Sequence, residues 1–554
     1  MLKGFVPWPK EYVKLYKEKG YWQGVTIGEA FETWCKKYSE RPALIYNGKE
    51  ITYRQLDDYA TRIAYQMTEL GIKTYDRIVM QMFNSAELVY LFYACMKIGA
   101  IPICSLPTHR WAEISYVAKH SEARVHAIPA GTVKDFDYEE FADKVRQEIP
   151  GMKIVLTVGK PVRSGMYSIN ELMEKEIDLE KARAKLKKYR PDPMEPALFQ
   201  LSGGTTGVPK IIPRTHNDYY YNVKCTVEAL GYDTNVRSLA AGPLVHNFAL
   251  INVLLPIHMS GGIIVLSSSF ASEALLKAIA EYRVNYIQLP SPLIHRLVDL
   301  PIEVVEKYDI SSLYRFMTSW NPEDPAIPVF MSRFHCDGIQ GYGMSEGLIC
   351  WSRWSDPQDI RHNTDGRAVS EADEVQVVDP ETHAPVAPGQ IGECWCRGPY
   401  TIRGYYKAPE RNKEAFTPDG YYRTGDLVTM DAAGNITWKG RIKDCIDRGG
   451  EKINAEEVEN YILKFSKVNS VAVIGMPDKE FGERICAFVV LKGGATFTLE
   501  ELQDFLVKEV HVARFKVPER LEFIDELPIT KIGKYEKKSL KEKITSILKK
   551  EGKI

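Results

Sequence analysis

One short stretch of the chain combines glycines, hydroxyl side chains and a lysine in an order suited to binding phosphate. It reads LSGGTTGVPK and follows the apolar run PALFQ. Glycines let the backbone adopt positive φ and approach a ligand closely, and consecutive amides in such a turn form an anion-binding concavity. A lysine adds a point charge. The residues expected to contact phosphate are Ser202, Gly203, Gly204, Thr205, Thr206, Gly207 and Lys210.

This loop differs from other glycine-rich sequences. A P-loop requires Gly-x-x-x-x-Gly-Lys-Ser/Thr, whereas Val208 and Pro209 separate Gly207 from the lysine here. Pro209 also removes an amide donor. A surface linker is the plain alternative, but linkers seldom carry this ordered set of donors directly after an apolar run. The loop therefore predicts phosphate binding of another kind than that of P-loop NTPases.

The elements that must position this loop alternate between strand-like and helix-like patterns up to about residue 440. The run RIVMQM precedes the helical pattern SAELVYLFYACMKIG, and GGIIVLSS precedes SEALLKAIAEYR. Such alternation is typical of parallel sheets covered by helices, in which ligands collect beyond the strand ends. We therefore expect an α/β fold, with a large domain over residues 1–440.

The pattern changes at a glycine-rich, charged connector near residues 441–443. Strand-like SVAVIG and RICAFVVLKGG follow, with a capping-box helix start at Thr498 and Glu501. The lysine-rich end, KKSLKEKITSILKKEGKI, is typical of a solvated amphipathic helix. We expect a small α+β domain over residues 441–554, with the connector as a hinge.

Charge and composition exclude several classes of protein. The formal net charge is −1, from 72 basic and 73 acidic residues, so no overall field favours nucleic acid or membrane partners. The ten cysteines are too scattered for a disulfide framework. The most apolar stretches are short or interrupted, unlike membrane spans, and the first residues lack a signal-peptide core. We expect a cytoplasmic protein.

The phosphate loop resembles the signature of the adenylate-forming superfamily, which includes acyl-CoA synthetases, luciferases and peptide-synthetase adenylation domains. Further motifs of that family follow in order: QGYGMSEG, YYRTGD, GRIKD and LPITKIGKYEKKSL. The resemblance implies an enzyme that uses ATP and Mg²⁺. In the nucleotide segment, which includes Gly341, Gly343 and Met344, Tyr342 would stack on adenine, and Ser345 and Glu346 would lie by the phosphates and the metal. Asp426 would accept from the ribose hydroxyls, and Arg441 would contact the ribose or phosphate. Lys443 would lie at the hinge, and Lys534 would reach the reacting carboxylate.

The resemblance also implies two half-reactions. A carboxylate first attacks the α-phosphorus of ATP, giving an acyl-AMP and pyrophosphate. The small domain then rotates to present a face built by the DRGGEKI segment, residues 447–453, and a thiol takes the acyl group from AMP. A catalytically dead ATP-binding regulatory module is the alternative outside enzymes, and the intact set of Lys534, Glu346 and Asp426 argues against it.

The candidate acid pocket reads GPLVHNFALIN, without the aspartate by which amino-acid adenylation domains pair with the substrate ammonium. The amide of Asn247 can donate to and accept from a phenolic hydroxyl, and Phe248 favours a planar ring. A buried His–Asn pair in the core is the structural alternative for this tripeptide. The segments MLKGFVPWP, IIPRTH, RGPYTIRGYYKAPE and DRGGEKINAEEVEN resemble the aryl-acid branch, the 2,3-dihydroxybenzoate–AMP ligases of siderophore biosynthesis.

That resemblance implies that Asn247 binds the ortho hydroxyl and that His246 lies near the carboxylate, acting with Lys534 in catalysis. The other substrate residues it implies are Phe248, Asn252, Ser345 and Ile349. We expect no fused carrier domain, so the acceptor would be the phosphopantetheine thiol of a separate aryl carrier protein, or free CoA.

The chain departs from the branch at two places in this pocket. FMTSWNPEDPAIP has no glycine and carries Trp320 where the branch has a glycine-rich turn, and Asn252 replaces a small hydroxyl residue. The acid therefore stays open between 2,3-dihydroxybenzoate, salicylate, another benzoate and a different compact acid.

Overall fold

The computed structural model describes residues 1–202, 209–267, 269–320, 322, 324, 326–448, 451–479, 481–530 and 535–554. It divides into two compact units. The first comprises Met1–Trp320, Ala326–Glu374 and Cys396–Tyr422, and the second comprises Asn321–Pro325, Val375–Trp395 and Arg423–Ile554.

Two large sheets form the first unit. In spatial order, the nine-stranded sheet contains Arg367–Ala368, Ile349–Trp351, Asp337–Gly343, Arg315–Thr318, Tyr286–Gln288, Arg237–Ala240, Ile263–Leu266, Pro42–Tyr46 and Lys49–Thr52. The seven-stranded sheet contains Ile211–Thr215, Pro196–Leu201, Ile101–Ser105, Arg77–Gln81, Val125–Pro129, Ile154–Val158 and Tyr167–Ser168. A two-stranded ribbon pairs Thr132–Val133 with Phe136–Asp137.

The central strands of both sheets are parallel, and antiparallel pairing is confined to strands at the sheet edges. Ile101–Ser105 and Ile263–Leu266 are buried at every position. Burial on both faces explains why these strands are continuous apolar runs in the sequence.

Helices cover the sheets of the first unit. They are Lys10–Glu18, Ile27–Lys37, Tyr53–Glu69, Ala86–Ile98, Trp111–Ser121, Tyr138–Glu148, Ile169–Glu174, Leu179–Leu186, His216–Leu230, Asn247–Ala249, Leu255–Ser260, Ser272–Tyr282, Ser291–Val298, Ile302–Val305, Ala326–Phe334, Gln358–Asn363 and Pro409–Ala415. A 3₁₀ turn spans Lys187–Tyr189, and a π-helical turn spans Leu250–Leu254.

The helix His216–Leu230 matters most for the candidate site. Thr215 and Asp218 form a capping box at its start, and Gly231 ends it in the left-handed conformation at φ +63°. These signals fix where the helix begins and ends. They therefore fix which of its side chains face the two neighbouring sheets.

The second unit is built on two further sheets. One orders Glu374–Val378, Gly392–Arg397, Tyr422–Met430 and Ile436–Arg441. The other orders Glu451–Asn454, Cys445–Arg448, Gly482–Leu491 and Val468–Asp478, with Arg520–Phe523 also paired to Gly482–Leu491. Its helices are Ala455–Leu463, Leu499–Lys508 and Lys537–Lys550, with 3₁₀ turns at Ile442–Asp444 and Arg514–Lys516.

Two local predictions for the second unit are confirmed. Thr498 and Glu501 form the expected capping box. The terminal helix buries Leu540, Ile544 and Leu548, a four-residue spacing that places them on one face. The lysines around them leave the opposite face polar, as an amphipathic helix requires.

The predicted α/β class, with a large N-terminal and a small C-terminal domain, is confirmed. Besides the residues from Arg423 onward, the second unit contains the segment Val375–Trp395. The predicted hinge at residue 441 concerns which segment moves during the reaction, and it stays a prediction. Within the described ranges, no helix is long and apolar enough to cross a membrane.

Candidate active site

The ends of the phosphate loop close on each other. Ser202 N donates to Lys210 O, and Lys210 N donates to Ser202 Oγ, both at 3.0 Å. This closure extends the antiparallel pairing of Leu201 with Ile211. The remaining predicted loop residues, Gly203, Gly204, Thr205, Thr206 and Gly207, lie outside the described residues.

The candidate metal residue, Glu346, is buried and held by two phenols. Its Oε1 accepts from Tyr405 at 2.8 Å and from Tyr422 at 3.2 Å, and the two hydroxyls lie 3.0 Å apart. Burial, with the negative charge of Glu346, raises the pKa of both tyrosines, so both hydroxyls stay protonated. Lys210 Nζ lies 4.9 Å from the centre of the Tyr405 ring. The Glu346 carboxylate and the Lys210 ammonium therefore both lie next to Tyr405.

The predicted adenine segment forms the tip of an antiparallel hairpin between Asp337–Gly343 and Ile349–Trp351. Gly341 and Tyr342 lie in the first strand, and Met344 N donates to Leu348 O across the turn at 3.0 Å. Gly343 is exposed, and Ser345 is half-buried. The hairpin thus brings the predicted nucleotide residues and Ile349 together at its turn and the adjoining strand ends.

Arg214 holds this turn through a hydrogen bond to its backbone. Its fully buried guanidinium donates to Ser345 O at 3.0 Å, to Asp218 Oδ1 at 2.8 Å and to Asn222 Oδ1 at 3.3 Å. Arg214 lies within the IIPRTH segment, but no motif or spacing in the sequence predicts this role for it. Its contact with Ser345 spans 131 positions, which no local pattern reveals.

The candidate acid residues begin a short helix. His246 is the N-cap of Asn247–Ala249, and its Nδ1 accepts from Phe248 N at 3.3 Å. His246 and Phe248 are half-buried, and Asn247 is 4% exposed. Asn247 Oδ1 accepts from the Tyr219 hydroxyl at 2.8 Å. The π-helical turn that follows is a feature often found at functional sites.

Asn252 lies in that π-helical turn and contacts Trp351, which no sequence motif indicates as a site residue. Its Oδ1 accepts from Trp351 Nε1 at 3.0 Å, and its Nδ2 donates to Phe248 O at 2.9 Å. The Trp351 ring stacks on Phe248, with centroids 6.2 Å apart and planes at 28°. A Cβ on Gly341 would come within 2.3 Å of this ring. Trp351 therefore fills the space that a side chain at position 341 would need.

Trp320, the other departure, packs into the core. Its ring stacks on Phe316 at 5.6 Å, in the same apolar cluster as Phe330 and Phe334. Its bulk is thus accommodated by neighbouring core side chains.

The remaining predicted residues lie in the second unit. Asp426 and Arg441 face each other on paired strands and form an ion pair at 2.9 Å. Lys443 lies in the exposed 3₁₀ turn Ile442–Asp444. Lys534 lies outside the described residues, as do Gly449 and Gly450 of the DRGGEKI segment.

Comparisons with known proteins identify the family of this chain. The family model for AMP-binding enzyme matches residues 31–406, and that for the AMP-binding enzyme C-terminal domain matches residues 457–534. A salicylyl-CoA synthase / salicylate adenylyltransferase from a Streptomyces species is 39% identical, covering 98% of this chain and 97% of that protein. The 2,3-dihydroxybenzoate-AMP ligase of Bacillus subtilis is 38% identical, covering 99% of each.

A solved structure gives the same result. The apo structure of Mycobacterium smegmatis MbtA is 32% identical, with a TM-score of 0.72, and the match covers 97% of this chain and 98% of that one. The predictions of family and of enzyme class are confirmed. This chain belongs to the AMP-binding enzyme family, as an ATP-using, adenylate-forming ligase.

Proposed function

We propose that this ligase activates an aromatic carboxylic acid, 2,3-dihydroxybenzoate, salicylate or a related benzoate, and passes the acyl group to a thiol. The carboxylate oxygen forms a bond to the α-phosphorus of ATP, the bond to the β-phosphate breaks, and pyrophosphate leaves. The thiol sulfur then bonds to the acyl carbon, the thiol proton is lost, and AMP leaves.

One chain of contacts carries this proposal. The Arg214 guanidinium binds the carbonyl of Ser345 in the nucleotide segment and lies 4.7 Å from the Tyr219 ring centre. The Tyr219 hydroxyl in turn binds Asn247 of the acid segment. A single buried network therefore joins the two candidate subsites within the first unit. An enzyme that joins an acid to a nucleotide needs both substrates held in fixed relative positions.

The side chains at the acid segment favour an aromatic ring over an amino acid. Half-buried Phe248, whose ring packs near-parallel to the buried Trp351 ring, offers an aromatic face against which a planar substrate can stack. The HNF tripeptide supplies an imidazole and an amide, with no carboxylate to pair with an ammonium group. Two relatives with more than a third of their residues identical are named for salicylate and 2,3-dihydroxybenzoate.

The chemistry requires two anions to meet, so charge neutralisation and positioning dominate catalysis. We assign phosphate neutralisation to Lys210 with the loop hydroxyls, and contact with the reacting carboxylate to Lys534. Glu346 suits Mg²⁺, which needs only one or two protein carboxylates besides phosphate oxygens. When bound, the metal would lower the negative charge of the phosphates. Tyr405 and Tyr422 would keep the Glu346 carboxylate oriented.

Acid-dependent ATP–pyrophosphate exchange tests this proposal. The purified chain is assayed with a panel of benzoates, linear fatty acids and amino acids. We expect exchange with ortho-hydroxylated benzoates and little with the other two classes. Exchange confined to fatty acids or amino acids would contradict the proposed substrate, and no exchange with any acid would favour a regulatory ATP-binding module.

The acceptor has two candidates. The Bacillus subtilis relative is named an AMP ligase, and the Streptomyces relative is named a CoA synthase as well as an adenylyltransferase. We propose a carrier-protein phosphopantetheine thiol, with free CoA as the alternative. Incubation of the enzyme, ATP and acid with either a phosphopantetheinylated aryl carrier protein or CoA, followed by mass measurement of the thioester, distinguishes them.

A further inference from the structure

Tyr219 is a buried residue without an assigned role that touches the candidate acid site. It lies in the helix His216–Leu230, is fully buried, and donates its hydroxyl proton to Asn247 Oδ1 at 2.8 Å. Burial raises the pKa of Tyr219 well above its usual range. The hydroxyl therefore stays protonated at neutral pH and can donate to Asn247.

This contact determines which end of the Asn247 amide can meet a ligand. A side-chain amide has one acceptor oxygen and one donor NH₂ group. The oxygen is engaged by Tyr219, whereas Nδ2 has no hydrogen-bond partner among the described residues. Asn247 is 4% exposed as a residue, and an amide donor in such surroundings normally finds a partner in protein, ligand or water. Half-buried His246 and Phe248 flank Asn247 in the chain.

We infer that Tyr219 acts as a positioning residue that holds Asn247 with its N–H group toward the acid, so that the site selects acids with an ortho oxygen and disfavours those with an ortho amine. This inference rests on the proposed function, since it requires an aromatic acid at Asn247. It adds to the proposed function a preference for ortho substituents that accept a hydrogen bond over those that donate one.

The rule follows from the ortho substituents themselves. In salicylate the phenolic proton bonds to the neighbouring carboxylate, and the oxygen keeps a lone pair that can accept from Asn247. In anthranilate the amine nitrogen shares its lone pair with the ring and presents N–H groups. Two donors would then face each other, leaving the Asn247 donor without a partner. Such an unsatisfied donor weakens the binding of anthranilate relative to salicylate.

The Tyr219→Phe variant tests the inference, because it removes one hydroxyl and keeps the ring. Without that hydroxyl, the Asn247 amide is free to rotate and can offer its oxygen to an amine. Wild type and variant are compared by kcat/KM in ATP–pyrophosphate exchange with salicylate and anthranilate. We expect the wild type to prefer salicylate and the variant to lose about tenfold of that preference, equivalent to one hydrogen bond. The KM for ATP should not change.

Tyr221→Phe is the matched control. Tyr221 lies in the same helix, is also buried, and its hydroxyl bonds to Ser370 Oγ at 2.8 Å, away from the acid segment. This control variant should keep the wild-type ratio of salicylate to anthranilate. An equal fall of the salicylate-to-anthranilate ratio in Tyr219→Phe and Tyr221→Phe would overturn the inference, because the effect would then be a general consequence of losing a buried hydroxyl.

Failure of this inference is distinguishable from failure of the proposed function. If the wild type catalyses exchange with salicylate but Tyr219→Phe keeps the same ratio, the inference is wrong and the proposed function stands. If the wild type catalyses exchange with no aromatic acid, the proposed function itself fails. Should Tyr219→Phe not fold, wild-type dissociation constants for the two acids decide, since equal or tighter binding of anthranilate would overturn the inference.

Discussion

The Trp351 indole N–H donates to the Asn252 side-chain oxygen at 3.0 Å, across 99 positions of sequence. Asn252 also binds the carbonyl of Phe248, whose ring faces the indole. The three residues therefore form a closed set of contacts beside Gly341, made by the Trp351 indole, the Asn252 amide, and the ring and backbone carbonyl of Phe248. Because each is fixed by the other two, this wall of the candidate acid site is pre-organised before substrate binds.

Trp351→Phe should loosen that wall. The variant keeps an aromatic ring but leaves Asn252 Oδ1 without its donor, at a cost of about 1–3 kcal/mol. We expect the KM for the aromatic acid to rise about tenfold, with the KM for ATP unchanged, in steady-state exchange kinetics. Trp354→Phe, three residues along the chain, is the control. Equal rises in both KM values would argue that Trp351 only supports the fold.

Removing the tyrosine hydroxyls that bind Glu346 should weaken Mg²⁺ binding. Tyr405→Phe and Tyr422→Phe each delete one hydrogen bond to Glu346 Oε1, and residues that orient a ligating carboxylate tune metal affinity. We expect the Mg²⁺ concentration at half-saturation to rise about tenfold, and Mn²⁺ binding to weaken alike when titrated with a non-hydrolysable ATP analogue. Tyr406→Phe, the adjacent tyrosine, should leave both values unchanged. Unaltered metal binding in both variants would refute this role.

Local sequence signals predicted most of the fold. Apolar runs such as Ile101–Ser105 and Ile263–Leu266 are recognisable because burial on both faces demands them. Caps such as that of Thr498 are recognisable because they need only neighbouring residues. The signature motifs in addition predicted the family, which the comparisons confirm.

The side chains that support the candidate site were not predictable in this way. Arg214 contacts Ser345, and Trp351 contacts Asn252, across 131 and 99 positions respectively. Such contacts depend on how distant strands and helices pack, and a single sequence carries no pairing information. The effect of Trp320 on the pocket was likewise left open by the sequence, whereas the structure pairs its ring with Phe316 in the core.

Lys534→Ala should separate the two half-reactions. The family resemblance assigns this lysine to adenylation only, and loss of one charge-stabilising donor typically costs about 100-fold or more in rate. We expect acyl-AMP formation to be abolished and thioester formation from supplied acyl-AMP to persist. Lys538→Ala, an exposed lysine in the terminal helix, serves as control. Equal loss of both half-reactions would contradict this assignment.

Acid should destabilise the first unit through its buried histidines. Burial lowers the pKa of His258 to about 3, below the ordinary value, so the unfolded chain binds the proton first as pH falls. The contribution of His258 to the free energy of unfolding is complete above pH ~6.5. Between pH ~6.5 and pH ~3 it falls by about 1.4 kcal/mol for each unit by which the pH is lowered. His258→Gln should therefore flatten the decline of the melting temperature between pH 7 and 5.

Exposed His295, changed to glutamine, is the control for that measurement. The melting temperature of His295→Gln should decline between pH 7 and 5 as steeply as that of the wild type. If His258→Gln declines as steeply as the wild type, His258 takes no part in the acid sensitivity.

Transfer of heavy oxygen tests the central claim most directly. The enzyme is given ATP, a thiol acceptor and an aromatic acid whose carboxylate carries oxygen-18, and the products are weighed by mass spectrometry. Attack of the carboxylate on the α-phosphorus predicts AMP carrying one heavy oxygen atom and unlabelled pyrophosphate. Heavy oxygen in inorganic phosphate together with ADP, or AMP without label, would contradict adenylation of the acid.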